Sequence, residues 1–298
     1  MAIGDVHGAY ERFVEILKVA GLVDGQLRWI GGAAHLVQTG DVVDRGADSR
    51  SALDLLRRLQ KDAPRAGGAV HPLLGNHEVA RMLGDMRYAV AGEYHAFVGD
   101  RSEEIRQNYV RQASSISREQ LLRDTPPGFV ELRIAFGRDG DYGKWLRTLD
   151  TTVRINDIVF LHGGISPSTA AMSCDEINAT VRREIGSDID KTRSAPLSTL
   201  AAREDGPLWY RGLMQMAEAD ADSILAKQKA KTIVVGHTVT QTGRITMRFG
   251  GKLIAIDTGM QSEYVKGGRA SALEFRGDTV TAIYVDGTET LKAGRGSN

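Results

Sequence analysis

The stretch Thr39-Gly40-Asp41-Val42-Val43-Asp44-Arg45-Gly46 sets two carboxylates and a guanidinium directly behind an apolar run. Four other places put a polar, metal-competent side chain in the same position: Gly4-Asp5-Val6-His7-Gly8, Gly75-Asn76-His77-Glu78, His162-Gly163-Gly164 and Gly236-His237-Thr238. Asp and Asn favour turns for reasons of their own, but turn chemistry does not account for five blocks carrying one set of donors. Asp5, His7, Asp41, Asn76, His162 and His237 offer carboxylate oxygen, imidazole nitrogen and one amide oxygen, with no thiolate. That mixture holds too much nitrogen for a calcium cage and suits Mn, Fe or Zn. Six donors exceed the need of one tetrahedral ion and serve two if a carboxylate bridges, for which Asp41 on the central block is the natural choice. Two such ions, about 3.5–4 Å apart, can clamp an in-line displacement at phosphorus and draw the pKa of a shared water towards neutrality.

The elements that must position these groups are legible around them. The runs 34–41, 69–77, 157–164, 232–238 and 253–259 are near-continuous Val/Ile/Leu stretches, the pattern of strands covered on both faces. Strands feeding one edge of an open α/β sheet bring their carboxyl ends together, where ligands collect, and the glycines let the backbone turn sharply there. Residues 9–22 stripe Phe13, Ile16, Leu17 and Ala20 at helical spacing, and 48–62 stripe Leu53, Leu55, Leu56 and Leu59. An alternating pair turned at Gly277-Asp278 predicts a hairpin near the end, and Lys292 to Asn298 read as frayed. The segment 79–151 is mostly helical in pattern, rich in Arg and Glu and interrupted at 125–129, and is expected beside the strand ends. Only Met1-Ala2-Ile3 precede the first block, so the first strand is very short or an upstream segment such as an export signal has been removed. The second case leads to the expectation of a periplasmic location over a cytoplasmic one.

Composition narrows the classes. Of 298 residues, 42% are hydrophobic and 26% charged, enough apolar material for a large core, while Lys+Arg and Asp+Glu balance at 38 each. Without a basic stripe or acidic tail, a role coating nucleic acid is not expected. No apolar run reaches the roughly 18 residues of a membrane span, so no membrane partner is expected. The single Cys174 excludes an intramolecular disulfide and reads as a packing residue. His35, His71 and His95 read as framework or surface residues. Asp85 and Arg87 either line the pocket or pair with one another.

In this order the five blocks resemble those of the calcineurin-like metallophosphoesterases of the phosphoprotein phosphatase type, and Leu73–Asp85 looks like the matching stretch of the bacterial Shewanella-like phosphatases. The resemblance spans most of the chain. It implies an α/β fold, a two-sheet β-sandwich flanked by helices, in a single domain over 1–298 with a helical cap or insertion at 79–151. It implies two divalent metal ions, Mn first with Fe or Zn as the other candidates. Asp5, His7 and Asp41 would bind one, and Asp41, Asn76, His162 and His237 the other. His77 would be the general acid, oriented by Asp44, while Arg45, Arg211 and Asn76 hold the substrate phosphate. The implied reaction is hydrolysis of a phosphomonoester (a phosphotyrosine or phosphoserine/threonine peptide, or an aryl phosphate) by in-line attack of a metal-bridging hydroxide. Leu74 stands where the eukaryotic Ser/Thr enzymes carry Arg, and their C-terminal SAPNY-type loop has no counterpart, so regulatory subunits are not implied.

Elementary chemistry agrees with those roles. A carboxylate beside His77 fixes its tautomer and keeps a proton available for a leaving oxygen, and a planar guanidinium engages two phosphoryl oxygens at once. The competing reading of Arg211 is a solvated residue stacked on Trp209 or Tyr210. Two other functions compete: hydrolysis of a diadenosine polyphosphate or phosphodiester at the same site, and a non-catalytic metal-binding module.

Overall fold

The computed structural model describes residues 1–112 and 117–293. Its strands form two sheets. The first holds β1 (Ala2–Ile3), β2 (His35–Gln38) and β3 (Ala69–Pro72), with β1 and β3 both parallel to the intervening β2. The second holds β4 (Thr152–Ile155), β5 (Ile158–Leu161), β6 (Thr232–Val235), β7 (Thr246–Arg248) and β8 (Leu253–Ala255), in the order β4-β5-β6-β8-β7. Within it β5, β6 and β8 run parallel, and β4 and β7 close the edges antiparallel. The first sheet is completed by β9 (Ser271–Arg276), β10 (Thr279–Tyr284) and β11 (Gly287–Lys292), giving the order β11-β10-β9-β1-β2-β3.

Side-chain alternation shows why both sheets read as continuous apolar runs. Ala2, Val37, Phe160, Val234 and Ile254 fill the space between the sheets, together with Leu273 and Ala282. Their neighbours Ile3, Leu36 and Val70 face outward beneath helices. Val159, Leu161, Ile233, Val235, Leu253 and Ala255 do the same on the other sheet. Beyond their first residues, the central strands β2, β5 and β6 thus meet protein on both faces.

The outer face of the first sheet is covered by α1 (Tyr10–Val19) and α2 (Ser49–Asp62) through fully buried Phe13, Ile16, Leu17, Leu56 and Leu59. Each such side chain contributes about 1.5–3 kcal/mol relative to exposure. Between β3 and β4 the chain is helical, running through α3 (Asn76–Leu83), α4 (Ala91–His95), α5 (Ser102–Gln112), α6 (Arg118–Asp124), α7 (Phe129–Phe136) and α8 (Asp141–Leu146). The interruption at 125–129 separates α6 from α7, whose start follows Gly128 in a left-handed conformation. Leu132, Phe136, Tyr142 and Leu146 from this segment join the core beneath α1 and α2. Next come α9 (Cys174–Ile185), opened by a reciprocal Ser173–Glu176 cap, α10 (Ile189–Ser194) and α11 (Glu218–Gln228), which covers the second sheet with Ala221, Ile224 and Leu225. No described helix is long and apolar enough to cross a membrane.

Two expectations are corrected. The five blocks do not feed one sheet edge: three follow β1, β2 and β3, and two follow β5 and β6 of the facing sheet. The tail does not fray at Lys292, which ends β11; the remaining expectation, over 294–298, lies outside the described residues. Strands β4, β7 and β11 escaped a periodicity reading because they are edge strands, and β11 is exposed at most positions, so burial imprints little pattern on it.

Candidate metal centre

Asp5, His7, Asp41, Asn76, His77, His162 and His237 converge where the carboxyl ends of the two sheets meet, and all are buried. Ligand-capable atoms of His7, Asp41 and His77 lie within 4.8 Å of one another, and so do those of Asp41, His162 and His237. Asp41 belongs to both groups. Its Oδ2 stands 3.6 Å from His7 Nε2 and 3.2 Å from His162 Nε2. Asp5 completes the first side, 3.9 Å from His7 Nε2, and its carboxylate also accepts the backbone N–H of His237 at 3.0 and 3.2 Å. Asn76 Oδ1 lies 2.9 Å from His162 Nε2.

The imidazoles are aimed by their outer nitrogens. His7 Nδ1 lies 3.0 Å from the Val43 carbonyl, His162 Nδ1 lies 2.9 Å from that of Thr39, and His237 Nε2 lies 3.1 Å from that of Trp209. A carbonyl can only accept, so each of these nitrogens carries a proton, and with an ion bound the opposite nitrogen would present its lone pair inward. That is the arrangement a metal ligand needs.

The loops that carry these groups are strained in concert. His7, Asp41, Asp44, Arg45 and His237 all adopt left-handed backbone, with φ of 48°, 56°, 72°, 69° and 60°, at about 1–3 kcal/mol each. Glu78 compensates part of this. Its Oε2 accepts the N–H groups of Asp41 (2.8 Å) and Gly75 (2.9 Å), and its Oε1 those of Val42 (2.8 Å) and Val43 (3.2 Å). Glycine at 40 is required because its φ is 92° and a Cβ there would strike the backbone of Leu74 and Gly75.

Electrostatics mark the centre as built for cations. Burial, reinforced by the nearby carboxylates of Asp257 and Asp41, pushes the Asp5 carboxyl well above its usual range. Burial drives His7 down to about 4, and His237 down to about 2 with help from neighbouring His162. Burial opposes ionisation of Asp41 too, yet His162, His77 and His7 overcome it and hold that carboxyl well below its usual range. Inward-facing imidazoles beside crowded carboxylates are the donor set that divalent ions fit.

His77 stands apart in its partners. Its Nδ1 meets Asp44 Oδ2 at 2.7 Å, leaving Nε2 facing the centre, 3.8 Å from Asp41 Oδ2. Burial lowers its pKa, but Asp41 and Asp44 more than offset this and raise it. Asp44 and Arg45 are not a surface ion pair: Asp44 is buried against His77 and Arg81, while the Arg45 guanidinium lies over the ring of Tyr264 (3.7 Å) and near that of Tyr88 (4.9 Å). The buried Arg45 Nε bonds no protein group. Arg211 donates through Nη1 to the His237 carbonyl and lines the same hollow as Arg45, His77 and Asp257.

Sequence reasoning missed several residues here. Asp257 follows β8 as the other blocks follow their strands, but Asp257-Thr258-Gly259 was read only as the end of a strand. Arg81 and Glu93 sit in helices where charge ordinarily signals a solvated face, and both are buried. Of the residues left open, Asp85 and Arg87 pair with one another in an exposed turn after α3. His35 and His71 pair at 3.0 Å on neighbouring strands, and His95 is exposed at the end of α4. Cys174 is free and half-buried against the second sheet's core. A larger hollow at the opposite edge, lined by Leu22, Ile30, Phe160 and Phe275, gathers no comparable donor set.

Two mixed sheets with a carboxylate–imidazole centre at their joint edge define a metallophosphoesterase. The model of the calcineurin-like phosphoesterases matches residues 1–241, and the chain belongs to that family, hydrolases of phosphoric esters that use divalent metal ions. It is 31% identical to Shewanella-like protein phosphatase 2 of Arabidopsis thaliana, over 95% of this chain and 76% of that one. An uncharacterized protein of Schizosaccharomyces pombe is 34% identical over 95% and 80% of the two chains. The crystal structure of the cold-active protein-tyrosine phosphatase of a psychrophile Shewanella sp. superposes with a TM-score of 0.75 at 31% identity, covering 97% of this chain and 79% of that one.

Proposed function

We propose that the chain is a binuclear metal-dependent phosphomonoesterase, with aryl phosphates and phosphotyrosine peptides as its first substrate class. The observation that carries the reading is the His77–Asp44 pair at 2.7 Å, set beside the converged donors and facing the hollow lined by Arg45 and Arg211. Asp5, His7 and Asp41 would hold one ion, and Asp41, Asn76, His162 and His237 the other. Mn is the first ion to test, because the carboxylate and amide oxygens are hard donors. When bound, the ions would acidify solvent and neutralise phosphoryl charge.

The chain's own groups supply the rest. Arg45, pinned by two rings that use none of its N–H donors, is free to fork onto two phosphoryl oxygens, with Arg211 in the same hollow and the Asn76 amide as a further donor to the phosphate. As water adds to phosphorus and the ester P–O bond breaks, the leaving oxygen takes a proton from His77 Nε2. Asp44 holds Nδ1–H throughout and balances the charge of the protonated ring. Tyr88 and Tyr264 support the aryl class. Both are exposed, flank Arg45, and lie against His77 and His7 at ring distances of 4.9 and 6.2 Å, so a substrate ring can stack as it enters. The similar Shewanella enzyme, a protein-tyrosine phosphatase, points the same way. The chain reads as one catalytic unit, with the helical segment over 79–151 as a cap that shares the main core.

Purified protein loaded with Mn is expected to hydrolyse phenyl phosphate and a phosphotyrosine peptide. The His77→Asn variant should lose about 10²–10⁴-fold in kcat. Wild-type protein that stays inactive on both substrates between about pH 5 and 9, the span over which a histidine acid can be loaded with its proton, would overturn the reading.

A further inference from the structure

The Arg81 side chain is fully buried. It lies on α3 one turn beyond His77, so the two share a helix face. Its Nη2 donates to Asp44 Oδ1 and, at 3.0 and 3.1 Å, to both carboxylate oxygens of Glu93, while Nε and Nη1 bond nothing and the Phe136 ring lies 5.2 Å from the guanidinium carbon. Burying a guanidinium with two idle donors is costly, and an apolar residue of like size would serve stability better. The geometry of Asp44 gives the reason for its presence.

We propose that Arg81 is a positioning residue for the His77–Asp44 pair and that Glu93 ties this pair to the cap helix α4. The inference rests on the phosphatase reading above. A carboxylate bonded only at Oδ2 can rotate about its Cβ–Cγ bond; Arg81 holds Oδ1, so Oδ2 stays aimed at His77 Nδ1. Glu93 Oε1 meanwhile accepts the N–H of Asp44 at 3.2 Å and steadies its left-handed backbone. Glu93 Oε2 accepts the Val90 N–H at 3.2 Å, which fixes the start of α4 to the same network. The Tyr88 carbonyl in the intervening turn accepts the Arg45 N–H at 2.9 Å. The docking of α4 therefore sets how well the acid is aimed.

Leaving-group dependence tests this, because a poorly aimed acid matters most when the departing oxygen needs a proton. With Mn-loaded enzyme, Arg81→Met should lose about tenfold more kcat on phenyl phosphate than on 2,4-dinitrophenyl phosphate, and Arg81→Lys should recover part of the loss. Glu93→Gln should shift the ratio in the same direction by less. Arg81→Met should add little in an Asp44→Asn background, since both act through one group. Equal losses on the two esters, or full additivity with Asp44→Asn, would make Arg81 a structural residue and overturn the proposal. If Arg81→Met fails to fold, Glu93→Gln carries the test, and an unchanged ratio there overturns it as well. Wild-type enzyme inactive on both esters would instead defeat the phosphatase reading and this proposal with it.

Discussion

Glu78 serves the centre through the backbone of the loops around it. Its two oxygens accept four backbone N–H groups between 2.8 and 3.2 Å and draw the Asp41 loop onto the start of α3. Burial, with Asp41 close by, raises its pKa, while the N–H groups of Asp41 and Gly75 act against that rise by bonding the charged form. Replacing Glu78 by Gln keeps its shape and turns one acceptor into a donor aimed at donors. A loss of about 1–3 kcal/mol in unfolding free energy is expected. Chemical denaturation should read it together with weaker metal binding by titration. A variant as stable as wild type, with unaltered affinity, would refute the role. Glu78 was visible in the sequence as part of Gly75-Asn76-His77-Glu78, but its task was not, because three of its four partners are the amides of Asp41, Val42 and Val43, 35 to 37 positions away, whose identity leaves no trace in side-chain chemistry.

At the scale of elements, the centre depends on loops that approach more closely than side chains allow. The turn after β2 and the turn before α3 meet at Gly40 and Gly75, and a Cβ on residue 40 would enter the neighbouring backbone. Gly40→Ala should therefore destabilise by several kcal/mol or prevent folding. Gly67→Ala, at a φ of 79° with open space around it, should cost only about 1 kcal/mol. Thermal unfolding of the two variants checks the contrast, and equal losses would show that backbone conformation alone, without steric contact, explains both. The helical stripes over 9–22 and 48–62 were legible because burial selects apolar residues at helical spacing; α1 buries Phe13, Ile16 and Leu17 but ends at Val19, leaving Ala20 half-buried as its cap, and α2 buries Leu53, Leu55, Leu56 and Leu59. The buried Arg81 and Glu93 were not legible, since a charge in a helix looks the same in sequence whether it meets water or another charge.

Over the whole molecule, the donors belong to two separate sheets. Asp5, Asp41 and Asn76 follow strands of the first, whereas His162 and His237 follow strands of the second, and Asp257 follows β8 beside them. Ions bound among them would stitch the sheets at their carboxyl edge. Their binding should stabilise the folded chain by about 2.7 kcal/mol when free metal is a hundredfold above its Kd. Chelation is thus expected to abolish activity and lower the Tm together, with Mn restoring both. A Tm indifferent to chelator while activity vanishes would mean that the ions do not bridge the sheets.

By itself the sequence determined the chemistry. Polar donors placed directly behind apolar runs declared strand-end blocks, and the mixture of imidazole and carboxylate pointed to divalent ions, because both follow from residue type and short-range spacing. Tertiary structure alone decided that the blocks come from two facing sheets, that Asp257 joins them, and that a buried arginine stands behind Asp44. Those facts depend on which distant segments share a face, and the free energy that selects the arrangement is spread over a whole core.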